Sequence, residues 1–498
     1  MKIPHIRNTR PAQLVCNQLN IRPLVLAILS GLATLASTTP AFAGEVAGTD
    51  KEINAPLEPS PIGEKPAWLT DLSVGAKESY DNNVFLSGAD STFLPAFSVP
   101  FGSVAALKNV SSWITTISPK IGFDFVPLFG DRNVLQTLTL GYAPDFNIYH
   151  NAQSESNDVH RFTAAIKGRL EAISFNLDDA FTYIHGSKFG PVYPGDFLSA
   201  FATAADRERR EQTQERANIS IQYDRENWFV RPTATLLDYN LDTAQIFLEG
   251  YQNYVSRYDV NGGLDIGRKI QPQFALTVGY RYGHQYQQEF EFAPFYPAIG
   301  IAAAHSTNDY QRVLFGFEGN PWKWLSVKFQ IGPDFRSFGP STPVDNKSPV
   351  TYYGEGTLTA TLTPKDTIAF RYKQWEWVSC VGLVPYFDST FDLTYSRKMT
   401  DALTVSIGTR ALGADYNPNN VSCQDAGLLG ERCMRNDWEY TVSAGVQYAF
   451  NPHFSATCSY SYDLGVNEQG GLSGPSSWTY DHRSFDHQLV SLGATIKF

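Results

Sequence analysis

The residues of this sequence that could do chemistry fall into two groups, adjacent acidic or acid–histidine pairs and charged residues at alternate positions. The pairs Asp178–Asp179, Asp481–His482 and Asp486–His487 could serve general acid–base chemistry. Adjacent residues of an extended chain point to opposite faces, so neither member of a pair can orient the other. Gly-x-Ser-x-Gly, His-Glu-x-x-His and glycine-rich phosphate-loop motifs are absent from the sequence. We therefore expect that the protein is not an enzyme.

The second group lies in segments where apolar and polar residues alternate. Between residues 274 and 283, aromatic and aliphatic side chains occupy even positions, and Thr277, Gly279 and Arg281 occupy odd ones. This period of two indicates β-strands with one apolar and one polar face. Counted by parity over the chain, the polar faces carry Lys120, Asp124, Arg161, Lys167, Arg169, Arg216, Arg257, Asp259, Arg281, Arg312, Glu318, Lys328, Glu355, Arg371, Lys373, Asp392, Arg410 and Glu439.

These charged residues are candidates to line a water-filled pore. Opposite charges that face each other across a lumen order water and screen solutes by charge and size. The set leans slightly towards cations. The alternative is that the same charges pair along neighbouring strands and stiffen the wall.

The connections between strands decide between a soluble sandwich and a membrane barrel, because both show alternation. Short turns are predicted at 129–133, 224–227, 319–321, 363–366 and 450–452, and long loops at 87–110, 187–211, 287–307, 417–435 and 466–481. Strict alternation of short turns and long loops along the chain is expected of an outer-membrane barrel. The predicted fold is an all-β, transmembrane, antiparallel up-and-down β-barrel of about 18 strands, with 16 as the alternative. The loops 87–110, 187–211 and 287–307 are the candidates to fold into the lumen.

Tryptophan residues near the strand ends predict two aromatic girdles at the lipid boundaries. The periplasmic girdle would contain Trp68, Trp228, Trp322 and Trp324, and the outer girdle Trp113, Trp375, Trp377 and Trp438.

Two segments resemble known bacterial sequences. The chain ends on a run that resembles the C-terminal signal of outer-membrane proteins, formed by Val490, Leu492, Ala494, Ile496 and Phe498. This resemblance implies binding by the barrel assembly machinery during biogenesis. Residues 75–85 resemble the first strand of the β-barrel porin 2 family. That second resemblance implies a barrel with a transport role, and it assigns no functional residue.

The N-terminal segment predicts export. Basic residues precede an apolar stretch at 24–36, and Ala41 and Ala43 form a small-x-small cleavage site. We expect residues 1–43 to be a cleaved secretory signal peptide, residues 44–67 a flexible periplasmic leader and residues 68–498 the barrel. The predicted location is the outer membrane of a Gram-negative-type bacterium.

The cysteines indicate a compartment rather than a reaction. Cys423 and Cys433 lie in one predicted outer loop and are expected to form a disulfide, with two free thiols as the alternative. Matched His or Cys partners for zinc are missing nearby, so neither a metal nor a cofactor is expected. Cys458 falls on a lipid-facing position.

Charge and fold together define the expected partners and function. A net charge of -11 argues against nucleic acid, which requires a basic surface. Outer-membrane lipid and small hydrophilic solutes are the expected partners, and the oligomeric state stays open. The predicted function is a porin-like channel for passive diffusion of small hydrophilic solutes or ions. An export conduit for exopolysaccharide is the alternative, and a structural or adhesive barrel with a closed lumen is the third possibility.

Overall fold

The computed structural model of the chain describes most of the region after residue 65. The described residues are 66–86, 110–129, 134–188, 190–191, 209–242, 251–252, 255–289, 306–340, 342, 349–378, 385–416, 435–469 and 485–498.

Eighteen antiparallel strands form one closed barrel, in which each strand pairs with its neighbours in the chain and β1 pairs with β18. This confirms the predicted fold and the count of 18 strands. The strands are β1 Leu69–Asp81, β2 Ser112–Asp124, β3 Leu135–Tyr149, β4 Asn157–Leu170, β5 Ile173–His185, β6 Gln212–Arg225, β7 Trp228–Leu241, β8 Arg257–Gln271, β9 Phe274–Gln287, β10 Asn308–Trp322, β11 Leu325–Phe338, β12 Val350–Thr363, β13 Asp366–Val378, β14 Pro385–Lys398, β15 Leu403–Tyr416, β16 Arg435–Asn451, β17 Phe454–Gln469 and β18 Phe485–Lys497.

Few other elements occur in the described residues. A short helix α1, Val126–Phe129, follows β2, and a 3-10 helix, Gln153–Glu155, joins β3 to β4. Two-residue strands at Gly190–Pro191 and Tyr251–Gln252 pair with each other outside the barrel sheet. Among the described residues, no helix has the length and apolar character needed to cross a membrane.

The alternation of side chains sets the two faces of the barrel. On β9, Leu276 is 50% exposed and Tyr282 is 53% exposed, whereas Arg281 between them is only 8% exposed. In a closed barrel, the face with exposed apolar side chains is the outer one and its polar partner is the inner one. The exterior of this barrel is therefore suited to lipid, because its backbone groups pair between strands and its outward side chains are apolar.

Strand ends joined by the long connections are called outer ends here, and those joined by short turns are called periplasmic ends. Exposed tryptophans occupy the periplasmic ends as predicted, and Trp322 stacks on Trp324 with ring centroids 5.7 Å apart. The prediction for the outer girdle was wrong at Trp375 and Trp377, which are 5% and 3% exposed and lie inside the barrel. Both occupy odd positions of β13, the positions that face the lumen.

Candidate functional site

Every charged residue predicted to line a pore occurs on a strand, at a position opposite to the exposed apolar face. Arg281, for example, pairs with Arg312 across β9 and β10, and neighbouring Tyr280 and Val313 form the outward pair. The predicted residues therefore all project from the inner face of the barrel wall.

Many of these inner charges form ion pairs with an adjacent strand. Lys120 lies 2.7 Å from Asp71, and Arg410 lies 3.7 Å from Glu439. Further pairs join Arg161 to Asp145, Lys167 to Asp178, Arg312 to Asp334 and Arg371 to Asp392. Many of the predicted inner charges therefore pair along neighbouring strands, which was the alternative to a pore-lining role.

A larger ion network occupies the periplasmic half of the lumen and was not predicted. Arg231 donates to Glu318 at 2.7 Å and to Asp265 at 3.1 Å, and Asp265 also lies 2.7 Å from Arg281. These four residues come from four consecutive strands, β7 to β10. Arg231 occupies an odd position of β7, as the other inner residues of this strand do. Parity in the sequence is therefore sufficient to place Arg231 on the inner face.

The outer end of β13 leaves the barrel wall and enters the lumen. Its pairing with β12 ends at Gly354 and Gln374, although both strands continue for four residues, to Val350 and Val378. β13 remains paired with β14 up to the Val378–Pro385 pair. We call the separated segments, residues 350–353 and 375–378, the outer seam.

The backbone of the separated β13 segment gains hydrogen bonds from side chains of other strands. The carbonyl oxygen of Glu376 accepts from Arg336 Nη2 at 2.8 Å and from Gln285 Nε2 at 3.1 Å. The carbonyl oxygen of Val378 accepts from Arg257 Nη1 at 2.5 Å. Buried carbonyl groups need partners, and these donors replace the lost β12 ladder. They also anchor the segment to β8, β9 and β11.

An apolar cluster, the lumen cluster, fills the space around this segment. It consists of Leu314, Tyr353, Trp375, Trp377, Val378 and Tyr386, with Leu237, Tyr239 and Ala414 packed against it. Leu237 and Tyr239 belong to β7, six strands before β13. Because it reaches from one side of the wall towards the other, the lumen cluster narrows the outer half of the lumen.

Cationic side chains lie along the edge of the lumen cluster. Arg257 lies 4.8 Å from the centroid of the Trp377 ring, and Arg312 lies 4.2 Å from that of Tyr353. Lys373 lies 3.8 Å from the Trp375 ring. Such cation–π contacts keep charged groups at the boundary between the apolar cluster and the remaining lumen.

A second group of charges lies in the lumen two residues along β12 from Tyr353, towards the periplasmic end. Glu355 interacts electrostatically with Lys328 and Lys373 of its neighbouring strands, and also with Arg216. Arg216 belongs to β6 and Glu355 to β12, which lie far apart around the barrel. Charges from strands a third of the way round the barrel therefore act on each other at this level.

The inner face of β15 to β18 differs in character from the lumen cluster. Small hydroxyl-bearing residues and glycines face inward along much of β15 to β18, beside charged residues such as Arg410, Glu439 and Asp463. The small residues are Thr404, Ser406, Gly408, Ser443, Gly445, Ser455, Thr457, Ser459, Ser461, Ser491, Gly493 and Thr495. These short side chains project less far into the lumen than the aromatic side chains of the lumen cluster.

Solvent reaches the inner face in the periplasmic half. The side chain of Lys120 is 53% exposed and that of Lys167 is 43% exposed, although both point into the barrel. A packed interior would leave these ammonium groups buried. The lumen is therefore hydrated at this level.

One predicted lumen loop has described residues with contacts near the outer end. Arg209 and Arg210, just before β6, enclose the Glu155 carboxylate at 3.2 and 3.0 Å. Arg209 also donates to the carbonyl oxygen of Val84, after β1, at 2.6 Å. Nearby, the hydrogen bond from Lys188 to Asp242 raises the pKa of the Lys188 ammonium. Most of the loops 87–110, 187–211 and 287–307 lies outside the described residues.

The candidate acid pairs are arranged as adjacent strand positions require. Asp178 faces the lumen and Asp179 the exterior, and His487 bonds to Asp463 at 2.7 Å and to Asp81 at 3.1 Å rather than to Asp486. Asp481 and His482 lie outside the described residues.

The cysteine and metal predictions are only partly covered by the described residues. Cys423 and Cys433 fall outside them, while Cys458 is exposed on the outward face. Within the described part of the chain, no group of three His, Cys, Asp or Glu residues is placed to hold a metal ion.

Comparison with known proteins gives no family assignment. No family model and no curated protein matches the chain. Among solved structures, Pseudomonas aeruginosa OccK2 (OpdF) has a TM-score of 0.38 at 10% identity, covering 86% of this chain and 98% of that one. P. aeruginosa OpdK with vanillate has a TM-score of 0.39 at 10% identity, with the coverage 86% and 98%. The ferric citrate transporter FecA has a TM-score of 0.33 at 10% identity, with the coverage 87% and 79%.

Proposed function

We propose that this chain is an outer-membrane, porin-like channel for passive diffusion of small hydrophilic solutes or ions. The observation that carries the proposal is the exposure of Lys120 and Lys167 inside a closed barrel with an apolar exterior. Charged groups in a lumen are costly to keep dry, so water and small solutes share the space with them. A structural barrel with a closed lumen does not require such hydration.

The proposed path runs between the lumen cluster and the hydroxyl-lined wall of β15 to β18. A solute then passes the level of Arg216, Glu355 and Lys373, where size and charge are screened. Exposed inner lysines, Lys77, Lys120 and Lys328, give this path a weak preference for anions. The lumen cluster narrows the path, and this favours small solutes over an exported polysaccharide chain.

The remaining predictions from the sequence belong to the same proposal. They are the cleaved signal peptide at 1–43, the leader at 44–67, recognition of the C-terminal run by the barrel assembly machinery, and membership of the β-barrel porin 2 family. The inner charged residues are proposed to act as pore lining in two ways, by pairing along the wall and by setting the field in the lumen. A catalytic role is not proposed.

Liposome swelling tests the proposal directly. Refolded protein in liposomes should admit uncharged sugars at rates that fall steeply with sugar size, because the narrow levels sieve by cross-section. Protein-free liposomes provide the baseline. A demonstrably folded barrel that admits neither arabinose nor any smaller polyol would refute the channel.

A further inference from the structure

We infer that the outer seam between β12 and β13 is a closed lateral portal, through which small aromatic molecules pass between the membrane and the lumen. This function goes beyond the aqueous channel and does not depend on it. At the outer seam, no β-ladder joins β12 to β13 in the barrel wall. Residues 350–353 and 375–378 belong to neighbouring strands, yet they do not pair with each other.

The seam is unusual within the barrel. At no other end of a junction between neighbouring barrel strands, within the described ranges, do both partners continue for four unpaired residues. Unpaired backbone is normally excluded from lipid because its polar groups have no partners there. Here Arg257, Gln285 and Arg336 supply donors to the carbonyl oxygens of Glu376 and Val378 from the lumen side. These two carbonyl groups of β13 therefore keep their partners when the seam separates.

An aromatic contact closes the outer face of the seam among the described residues. Phe387 of β14 packs against Tyr352 of β12 in a T-shaped contact, with ring centroids 4.9 Å apart. β13 normally stands between these two strands, so the contact exists only because the end of β13 has left the wall. Phe387 is 7% exposed, whereas Tyr352 is 47% exposed on the outer face. A side chain, which can rotate, thus separates the exterior from the interior.

Apolar side chains lie on both sides of this contact. Outside, Phe335, Val350 and Tyr352 are exposed towards lipid. Inside, Tyr353 and Trp375 belong to the lumen cluster. The charged groups nearby are held by partners of opposite sign, Arg312 with Asp334 and Arg336 with Glu376. A solute that follows this route meets rings and aliphatic groups rather than unpaired charge.

The shape of the inner cluster favours a flat solute. Trp375 and Trp377 stack with centroids 4.6 Å apart and planes 20° apart, and Tyr353 and Tyr386 lie in the same cluster. Parallel rings offer offset stacking to another ring, which adds to the energy of apolar burial. The occupant of the portal is therefore a small uncharged aromatic molecule dissolved in the membrane.

Photolabelling tests the portal with such a molecule. The probe is 3-trifluoromethyl-3-phenyldiazirine, dissolved in the lipid of vesicles that contain the folded, full-length barrel, with labelled residues identified by mass spectrometry. We expect label on Trp375 and Trp377 of the wild type, and several-fold more in Phe387→Ala. Phe387→Leu gives the same comparison if the alanine variant does not fold. Label confined to outward residues such as Phe335 and Tyr352 in a folded variant would overturn the portal.

A crosslink across the seam identifies the route. Tyr352→Cys/Phe387→Cys is bridged with a short bifunctional thiol reagent, and wild type treated with the same reagent controls for the native cysteines. Loss of label at Trp375 and Trp377 after bridging supports entry through the seam. Label that persists after bridging has arrived through the lumen and overturns the portal. Ion conductance of the same samples reports on the channel separately, since bridging the seam should leave it intact.

Discussion

Arg257 is the residue whose replacement tests most sharply whether the end of β13 acts as a constriction. Its side chain is buried, and Nη1 donates to the carbonyl oxygen of Val378 at 2.5 Å and to the Tyr386 hydroxyl at 3.3 Å. Arg257→Met keeps an unbranched side chain against the Trp377 ring but removes both hydrogen bonds. The inserted segment then loses its tie to β8.

The size of the effect follows from the carbonyl group that is left without this donor. An unsatisfied buried acceptor costs about 1–3 kcal/mol, which corresponds to a roughly 5- to 150-fold shift between the docked and released segment. Glu376 remains bound by Arg336 and Gln285, so the segment is loosened rather than expelled.

Single-channel recording is the assay for this variant. Arg257→Met should show longer or more frequent visits to a state of higher conductance than wild type. Arg169→Met is the matched control, since Arg169 also faces the lumen and, among the described residues, donates locally to the carbonyl oxygen of Glu171. A folded Arg257→Met channel with the conductance and dwell times of wild type would show that the segment does not constrict the path.

Three further predictions concern selectivity, stability and covalent structure. The triple variant Lys77→Glu/Lys120→Glu/Lys328→Glu should move the reversal potential in a salt gradient towards cation preference, and an unchanged potential contradicts the proposed path. Arg231→Ala removes the shared partner of Glu318 and Asp265 and should lower the free energy of unfolding in urea by about 3–5 kcal/mol. The half-exposed control Lys120→Ala should lower it by about 0–1 kcal/mol. Equal losses in the two variants contradict the network. Intact mass and peptide mapping should find Cys423 joined to Cys433 with the loss of two hydrogen masses, and two alkylated thiols in unreduced protein would refute the disulfide.

The period of the side-chain pattern made the barrel and its inner face predictable. Along β9, Leu276 and Tyr282 can face lipid only if Arg281 faces inward, because successive residues of a strand alternate strictly. The same rule placed distant residues such as Lys120 and Arg410 on the inner face. The alternation of short and long connections then distinguished a membrane barrel from a soluble sandwich.

The constriction could not be predicted because it depends on a local break in strand pairing. Nothing in the alternation of β13 shows that its ladder with β12 ends at Gln374. The donors that make this break possible, Arg257 and Arg336, come from strands distant in the sequence. Parity does, however, indicate where the two tryptophans of β13 lie. Trp375 and Trp377 share odd positions with Lys373, so they belong to the lumen and not to the outer girdle.

Planar-bilayer recording of the refolded, full-length chain tests the central claim, that a hydrated path crosses this barrel. The expected result is step-like current that increases with salt concentration and shows a weak preference for anions. A barrel that is folded by heat-shift electrophoresis and inserted in the bilayer, yet carries no current at any salt concentration, would contradict the claim.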